Sequence, residues 1–212
     1  MPTAIPRVLA DLSRVFRTQG LRWYVFGAQA VAAWGVPRLT ADVDVTVAAS
    51  RQELSGLVAA LQRDFAVRPV GDVDSFIAQS RVIPLIHRRT ETPVDVVLAG
   101  PGLEDAMLER AQTRIVGRIR VPFIEINDLL VVKFLAGRPK DLEDIRGLLR
   151  VHAPELNTNL VRERLGELAA AIDDSTLVPA WDALLSNPAA PTAWPRPSAK
   201  TKPTKQTKRP RR

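Results

Sequence analysis

The chain has 212 residues, of which 46% are hydrophobic, and it contains no cysteine. This composition is typical of a folded globular protein of one domain with a small appendage, and it excludes disulfides and thiolate metal sites. No apolar run approaches the roughly 18 residues of a membrane span, and the N-terminus lacks the layout of a signal peptide, so we expect a cytoplasmic protein without membrane contact.

The net charge of +7 is concentrated at the C-terminus. Residues 196–212 hold 8 of the 30 Lys and Arg and no acid, which leaves 22 basic against 23 acidic residues in the rest of the chain. The Pro-, Thr- and Lys-rich composition predicts a disordered basic tail over residues 187–212. Such a tail either binds nucleic-acid phosphates without sequence preference or only keeps the protein in solution, and both readings fit.

The first two thirds of the chain alternate between helix and strand signals. Apolar spacing predicts an amphipathic helix at 5–18, a buried strand at 21–26 and, after Gly27, a short apolar helix at 28–34. The next predicted elements are, in chain order, a strand at 43–47, a helix at 51–65 that opens on a capping box of Ser50 and Glu53, strands at 81–87 and 93–98, a helix at 102–110 and a hairpin at 113–121.

The last third reads as helical. A helix capped by Asn127 or Asp128 should run through Ala136, and further helices are predicted at 140–149, 158–172 and 177–185. The fold class is therefore α/β (α+β), with a mixed sheet, flanking helices and a helical C-terminal portion. We place the α/β core at 1–126, the helical portion at 127–186 and the basic tail at 187–212.

Asp42 and Asp44 point to the same face of the strand at 43–47, because side chains alternate along a strand, and its valines face the other way. Two neighbouring acids repel each other unless a cation lies between them, and Mg²⁺ prefers carboxylate and phosphate oxygens. From these residues alone, a metal site and a solvent-exposed strand face fit equally well.

Three further features bear on this pair. Gly27-Ala28 joins a strand to a helix, where free backbone N–H groups either meet a phosphate or simply make a turn. Asp95 is a lone acid in the apolar strand at 93–98; it is a third carboxylate if the two strands are neighbours, and otherwise a solvated strand end. Arg38 either reaches a triphosphate or pairs with Asp42 or a helix end.

Lys133 and Lys140 are the only lysines before the tail. Lys133 stands in an apolar helix, where a lysine either reaches solvent or faces a buried anion. Asp141 and Asp144 lie on the next helix. These charges form either an interlocking ion-pair network or a phosphate-binding lysine that an aspartate holds in place.

Residues 20–150 resemble a minimal nucleotidyltransferase of the DNA polymerase beta superfamily. The most specific matches are Gly27-Ala28 and the stretches 38–44 and 133–144; the two stretches are similar to abortive-infection nucleotidyltransferases of bacterial toxin–antitoxin pairs. The resemblance implies that Mg²⁺ or Mn²⁺ supports transfer of a nucleoside monophosphate from an NTP to an acceptor hydroxyl.

The resemblance also implies residue roles. Asp42, Asp44 and Asp95 would be the metal ligands, and Asp95 would alternatively be the base; Lys133 and Asp144 would form the helical Lys/Asp pair of the active site. The nucleotide-binding set would be Gly27, Ala28, Arg38, Thr40, Lys133 and Lys140. Ala28 departs from relatives that have serine there, so only its backbone N–H can meet a phosphate.

The acceptor is left open by these motifs. We expect an RNA end, tRNA in particular, because of the basic tail, and a toxin-like enzyme with a cognate antitoxin because of the resemblance. A protein hydroxyl and a small molecule such as an aminoglycoside are alternatives. A non-catalytic relative that binds nucleic acid or a partner is a further one.

Overall fold

Seven strands form one mixed sheet in the part of the chain that the computed structural model describes, residues 4–153 and 156–187. The strands are β1 Trp23–Phe26, β2 Val43–Val47, β3 Phe65–Val67, β4 Val82–His87, β5 Pro93–Leu98, β6 Gln112–Val116 and β7 Ile119–Phe123. Their order across the sheet is β3-β4-β5-β2-β1-β7-β6. The predicted tail lies outside the described residues, apart from Asn187.

The described residues also form helices. They are α1 Ala4–Thr18, α2 Gly27–Ala33, α3 Leu54–Leu61, α4 Val73–Ser80, α5 Leu103–Arg110, α6 Ile126–Ala136, α7 Pro139–His152, α8 Thr158–Ile172 and α9 Leu177–Ser186. The described helices include none that is long and apolar enough to cross a membrane.

The central strand β2 determines where the acids lie. It pairs antiparallel with β1 and parallel with β5. Val43, Val45 and Val47 are fully buried on one face, so the alternation of a strand turns Asp44 to the other face. The predicted α/β fold with a mixed sheet and C-terminal helices is confirmed, and the strands at 43–47 and 93–98 have the predicted bounds.

One predicted helix was wrong at its end. The helix expected to reach Phe65 stops at Leu61, and Phe65 instead begins β3, where it pairs with His87. The Phe65 side chain is fully buried, so long-range strand pairing overrides the local apolar spacing. The capping box does form: Ser50 N donates to Glu53 Oε2 (2.8 Å) and Glu53 N donates to Ser50 Oγ (3.3 Å).

The predicted cap of α6 was also wrong. Glu125 caps this helix, and its carboxylate accepts hydrogen bonds from Asn127 N (3.0 Å) and Asp128 N (3.2 Å). The Asp128 side chain is fully buried and instead forms an ion pair with Arg110, whose Nε is 2.9 Å from Asp128 Oδ2. An acid two residues before Asn127 thus takes the backbone donors at the start of the helix.

The chain divides into two compact units, a first that runs to Val161 and a second that starts at Arg162. Helices α6 and α7 belong to the first unit. The division of the chain into an α/β core and a helical portion at residue 127 stays a prediction. Within the second unit, Leu165, Trp181 and Leu184 are buried.

Two helical glycines provide a matched test of packing. A Cβ at Gly147 on α7 would lie 2.8 Å from Val36 Cγ1, whereas at Gly166 on α8 the nearest atom would be 3.9 Å away. We expect Gly166→Ala to raise the free energy of unfolding by up to about 1 kcal/mol through helix propensity. Gly147→Ala should lose that gain or reverse it, because the β-branched Val36 is stiff. Equal stabilisation of both variants in urea unfolding would contradict this packing.

Candidate active site

Two of the predicted acids are direct neighbours in the sheet. Asp44 on β2 stands opposite Asp95 on β5, and on its other side it stands opposite Phe26, the last residue of β1. Partner residues on adjacent strands are about 5 Å apart and share a face. The two strands are therefore neighbours, as a set of converging carboxylates requires.

The two outer carboxylates have partners of their own. The Asp42 carboxylate accepts a hydrogen bond from the Thr40 hydroxyl, and the Asp42 carbonyl accepts one from Gln29 Nε2 (3.2 Å). The Asp95 carboxylate forms an ion pair with Arg68. In this arrangement no three acid or histidine side chains of the described residues gather closely enough to hold one ion together.

Gly27 gives Asp44 its space. Its φ is +67°, and a Cβ there would overlap the Asp44 carboxylate and lie 3.0 Å from Cγ. The predicted turn between β1 and α2 is thus present, and only glycine fits it for two separate reasons, backbone conformation and close approach. Ala28 follows with 9% of its surface exposed.

The Asp44 carboxyl ionises less readily than an aspartate in water, mainly because it is partly buried. Burial raises the pKa of the Asp44 carboxyl from its ordinary 3.8 to about 6; the negative charges of Asp42 and Asp95 add to the rise, while Lys133 and Arg138 oppose it. A cation beside Asp44 would relieve this cost. The donors are hard carboxylate oxygens, so the residues present fit Mg²⁺ or Mn²⁺. Their roles as ligands stay a prediction.

Lys133 lies buried between two aspartates. Its Nζ is 2.9 Å from Asp141 Oδ1 and 2.7 Å from Asp144 Oδ2, and only 5% of the side chain is exposed. Asp144 also pairs with Arg38, and Asp141 with Arg138. The predicted Lys133/Asp144 pair is therefore present, and it is part of an interlocking network of three cations and two acids.

Of the alternatives predicted for Arg38, the structure shows pairing with a helix end. Arg38 pairs with α7, through Asp144 and through the carbonyl of Lys140 (3.4 Å), rather than with Asp42. The Lys140 side chain makes no ion pair within residues 4–153 and 156–187. Whether either cation meets a triphosphate stays a prediction.

Sequence reasoning missed Arg138 and Arg68 and gave Asp141 no site role. Burial acts to raise the pKa of the Asp141 carboxyl, but Arg138 and Lys133 outweigh it and hold that pKa below its ordinary value. The spacing of Arg138 and Asp141, three residues apart at a helix start, was a usable signal. Arg68 had none, because its partner Asp95 is 27 residues further along the chain.

A cavity of about 290 Å³ brings these groups together within the first unit. All predicted site residues except Asp144 line it, and Asp144 contacts the lining residue Lys133. The lining residues are Phe26, Gly27, Ala28, Arg38, Thr40, Asp42, Asp44, Asp95, Val132, Lys133, Ala136, Arg138, Lys140 and Asp141. A larger open groove of about 880 Å³, lined mainly by α3 and α4, contains none of the predicted site residues.

A family model described as nucleotidyltransferase of unknown function (DUF6036) matches residues 4–179. The chain belongs to this family. A search of curated proteins found no match.

Solved structures share the fold of this nucleotidyltransferase at low sequence identity. The antibiotic-resistance factor ANT(2'')-Ia in solution has a TM-score of 0.55 at 14% identity, over 82% of this chain and 97% of that chain. Its crystal complex with adenylyl-2''-tobramycin has a TM-score of 0.53 at 13% identity, over 86% and 99%. An antigenic nucleotidyltransferase-like protein from Paracoccidioides brasiliensis has a TM-score of 0.50 at 17% identity, over 81% and 90%.

Gly27 and Gly20 allow the contact with Asp44 to be tested apart from backbone strain. Their φ values are +67° and +66°, but a Cβ at Gly20 would meet nothing within 4 Å. We expect both alanine variants to lose about 1 kcal/mol of stability. Only Gly27→Ala should also abolish the rise in melting temperature on addition of Mg²⁺ and NTP, because it displaces Asp44. An unchanged Mg²⁺ response in Gly27→Ala would contradict the placement of Asp44.

The raised pKa of Asp44 makes stability depend on pH. Because this pKa is higher in the folded than in the unfolded chain, its contribution is fully present below about pH 4 and is lost as pH rises through about 6. In EDTA, Asp44→Asn should therefore match the wild type at pH 4 and exceed it at pH 8, by at most about 3 kcal/mol. Denaturant unfolding at both pH values measures this, and parallel pH profiles would refute it.

Proposed function

We propose that this nucleotidyltransferase uses Mg²⁺ or Mn²⁺ to transfer a nucleoside monophosphate from an NTP to an acceptor hydroxyl. The carrying observation is the pairing of Asp44 with Asp95 across from a buried, doubly ion-paired Lys133. The acids on one wall of the cavity suit divalent cations, and the cations on the other wall suit a triphosphate. The reaction uses both of these charged groups.

The proposed metal ligands are Asp42 and Asp44, with Asp95 as the third once its carboxylate turns from Arg68 towards the cation. A bound divalent cation would offset their charge and that of the triphosphate, and would polarise the transferred phosphoryl group. The lack of a Cβ at Gly27 leaves the Asp44 carboxylate the space that it occupies in the cavity.

The cations of the cavity would face the triphosphate. Lys133 supplies a point charge, and Arg38 and Arg138 supply planar forks that suit phosphate oxygens. Asp144 holds both Lys133 and Arg38 by ion pairs, so it is a positioning residue. Lys140, which has no ion pair in the described part of the chain, is the cation most free to move to a ligand.

As the alternative to binding the metal, Asp95 is the proposed base. The acceptor hydroxyl gives its proton to this carboxylate while its oxygen bonds to the α-phosphorus. The bond from the α-phosphorus to the oxygen that bridges it to the β-phosphate breaks, and pyrophosphate leaves. The proton then passes from Asp95 to solvent.

The proposed acceptor is an RNA end, with tRNA as the leading case. The eight Lys and Arg of residues 196–212, with no acid among them, support this assignment because they favour a polyanionic partner. The toxin-like role with a cognate antitoxin rests on the motifs at 38–44 and 133–144. An aminoglycoside is the second candidate, which the shared fold with ANT(2'')-Ia bound to adenylyl-2''-tobramycin favours.

Labelled NTPs test these assignments directly. We expect incubation of the full chain with each α-labelled NTP, Mg²⁺ and total RNA to label RNA and to release pyrophosphate. Asp44→Asn should lower the rate at least 100-fold, whereas Asp74→Asn, an exposed acid on α4, should match the wild type.

Parallel arms with tobramycin and with cell lysate separate the acceptors. Label on tobramycin would favour an aminoglycoside acceptor. Label on protein would rule out both the RNA end and the aminoglycoside in favour of a protein hydroxyl. Failure of the wild type to label anything or to consume NTP would contradict catalysis itself.

A further inference from the structure

Arg68 extends the row of acids across the sheet. It directly follows β3, and its backbone N–H donates to the carbonyl of Pro84 (2.9 Å). Pro84 stands opposite Asp95, and Asp95 stands opposite Asp44. The four residues therefore lie side by side at one level of the sheet, with Arg68 at the β3 edge.

Arg68 engages only one oxygen of Asp95. Its Nη2 donates to Asp95 Oδ1, and the two side chains are 33% and 38% exposed. Asp95 Oδ2 and Arg68 Nη1 make no hydrogen bond within the described residues. One carboxylate oxygen and one guanidinium nitrogen are thus left for other groups.

The position of Arg68 is not optimised for stability. Its Nε is buried and has no hydrogen-bond partner among the described residues, a state that costs free energy and calls for an explanation other than packing. The Arg68 side chain would avoid this cost if it turned to solvent. We therefore attribute its buried position to the contact with Asp95.

Arg68 lies outside the cavity that the other cations line. Arg38, Lys133, Arg138 and Lys140 line it together with Asp95, and Arg68 does not. Those four cations are assigned to the triphosphate. Among the described residues, Arg68 is the cation that pairs with Asp95 and has no such assignment, so it is the candidate for the acceptor.

The surroundings of Arg68 suit a nucleotide better than a polycation. Val82 and Ile86 on β4 and Val97 on β5 share the sheet face of Asp95 and are partly exposed, which offers apolar surface to a sugar or base. The nearby turn at 88–92 carries two exposed arginines against one glutamate. A polycationic acceptor would meet a net positive surface here.

We propose that Arg68 is the acceptor-binding residue of this enzyme: it positions Asp95 with one N–H and binds, with its free nitrogen, the phosphodiester next to the reactive hydroxyl of a nucleic-acid end. This inference rests on the proposed function and names the chemistry of its acceptor. An arginine can serve both partners because its fork presents several N–H groups in one plane, which a lysine ammonium does not.

Binding and turnover of unfractionated tRNA test this role in the full chain. Compared with wild type, Arg68→Gln should raise the KM for tRNA at least 10-fold and leave the Kd for NTP, measured without tRNA, within twofold. The slope of log Kd for tRNA against log salt should become shallower by about 0.7, the loss of one phosphate contact on a single strand. Arg68→Lys should restore the salt slope but not kcat, because it keeps the charge and loses the hold on Asp95.

The exposed Arg118, in the turn between β6 and β7 at the other edge of the sheet, provides the matched control. Arg118→Gln should leave KM and kcat within twofold of wild type, and both variants carry the same basic tail, so the tail cancels from the comparison. An unchanged salt slope in Arg68→Gln, a faster transfer rate in that variant, or wild-type transfer to tobramycin but not to tRNA would each overturn the proposal. If the wild type binds tRNA but transfers nothing, the proposed function fails. The salt dependence of tRNA binding by Arg68→Gln would still show whether Arg68 contacts a phosphate.

Discussion

Electrostatic repulsion between neighbouring carboxylates is the constraint on which this site depends. Asp44 and Asp95 stand opposite each other on the adjacent strands β2 and β5, and Asp42 directly precedes β2. Burial and the two other negative charges raise the pKa of Asp44 to about 6. Such a row persists only where cations flank it, and here they do so on both sides: Arg68 on Asp95, and Lys133 and Arg138 across the cavity.

The ion-pair network on α6 and α7 offsets the cost of burying Lys133. A lysine that is 95% buried is costly unless charged partners surround it, and Lys133 has two. The same two aspartates hold Arg38 and Arg138, so three cations are fixed by two acids. A network of this kind keeps positive charge concentrated and oriented before any ligand arrives, which is how electrostatic stabilisation is prepared in an enzyme.

Local patterns were informative wherever a single strand or helix decides the outcome. The alternation of Val and Asp in β2 was enough to predict which face carries the acids, because strand geometry alone sets it. The turn at Gly27 and the lysine in an apolar helix were visible for the same reason. The end of the helix before Phe65 could not be predicted from the local pattern, because the pairing of Phe65 with His87 decides it. The cap of α6 could not be predicted either, because Glu125 competes with Asp128 for the same position.

By itself, the sequence determined the identity of the acids, the lysine and the glycine, together with the elements that carry them, because periodicity and charge are local properties. Only the tertiary structure decided that Asp95 stands beside Asp44, that Arg38 turns to Asp144 rather than to Asp42, and that Arg68 reaches Asp95. These contacts join residues 27 to 106 positions apart. They follow from strand order and helix packing, which are set by burial over the whole fold and leave no mark in the neighbouring sequence.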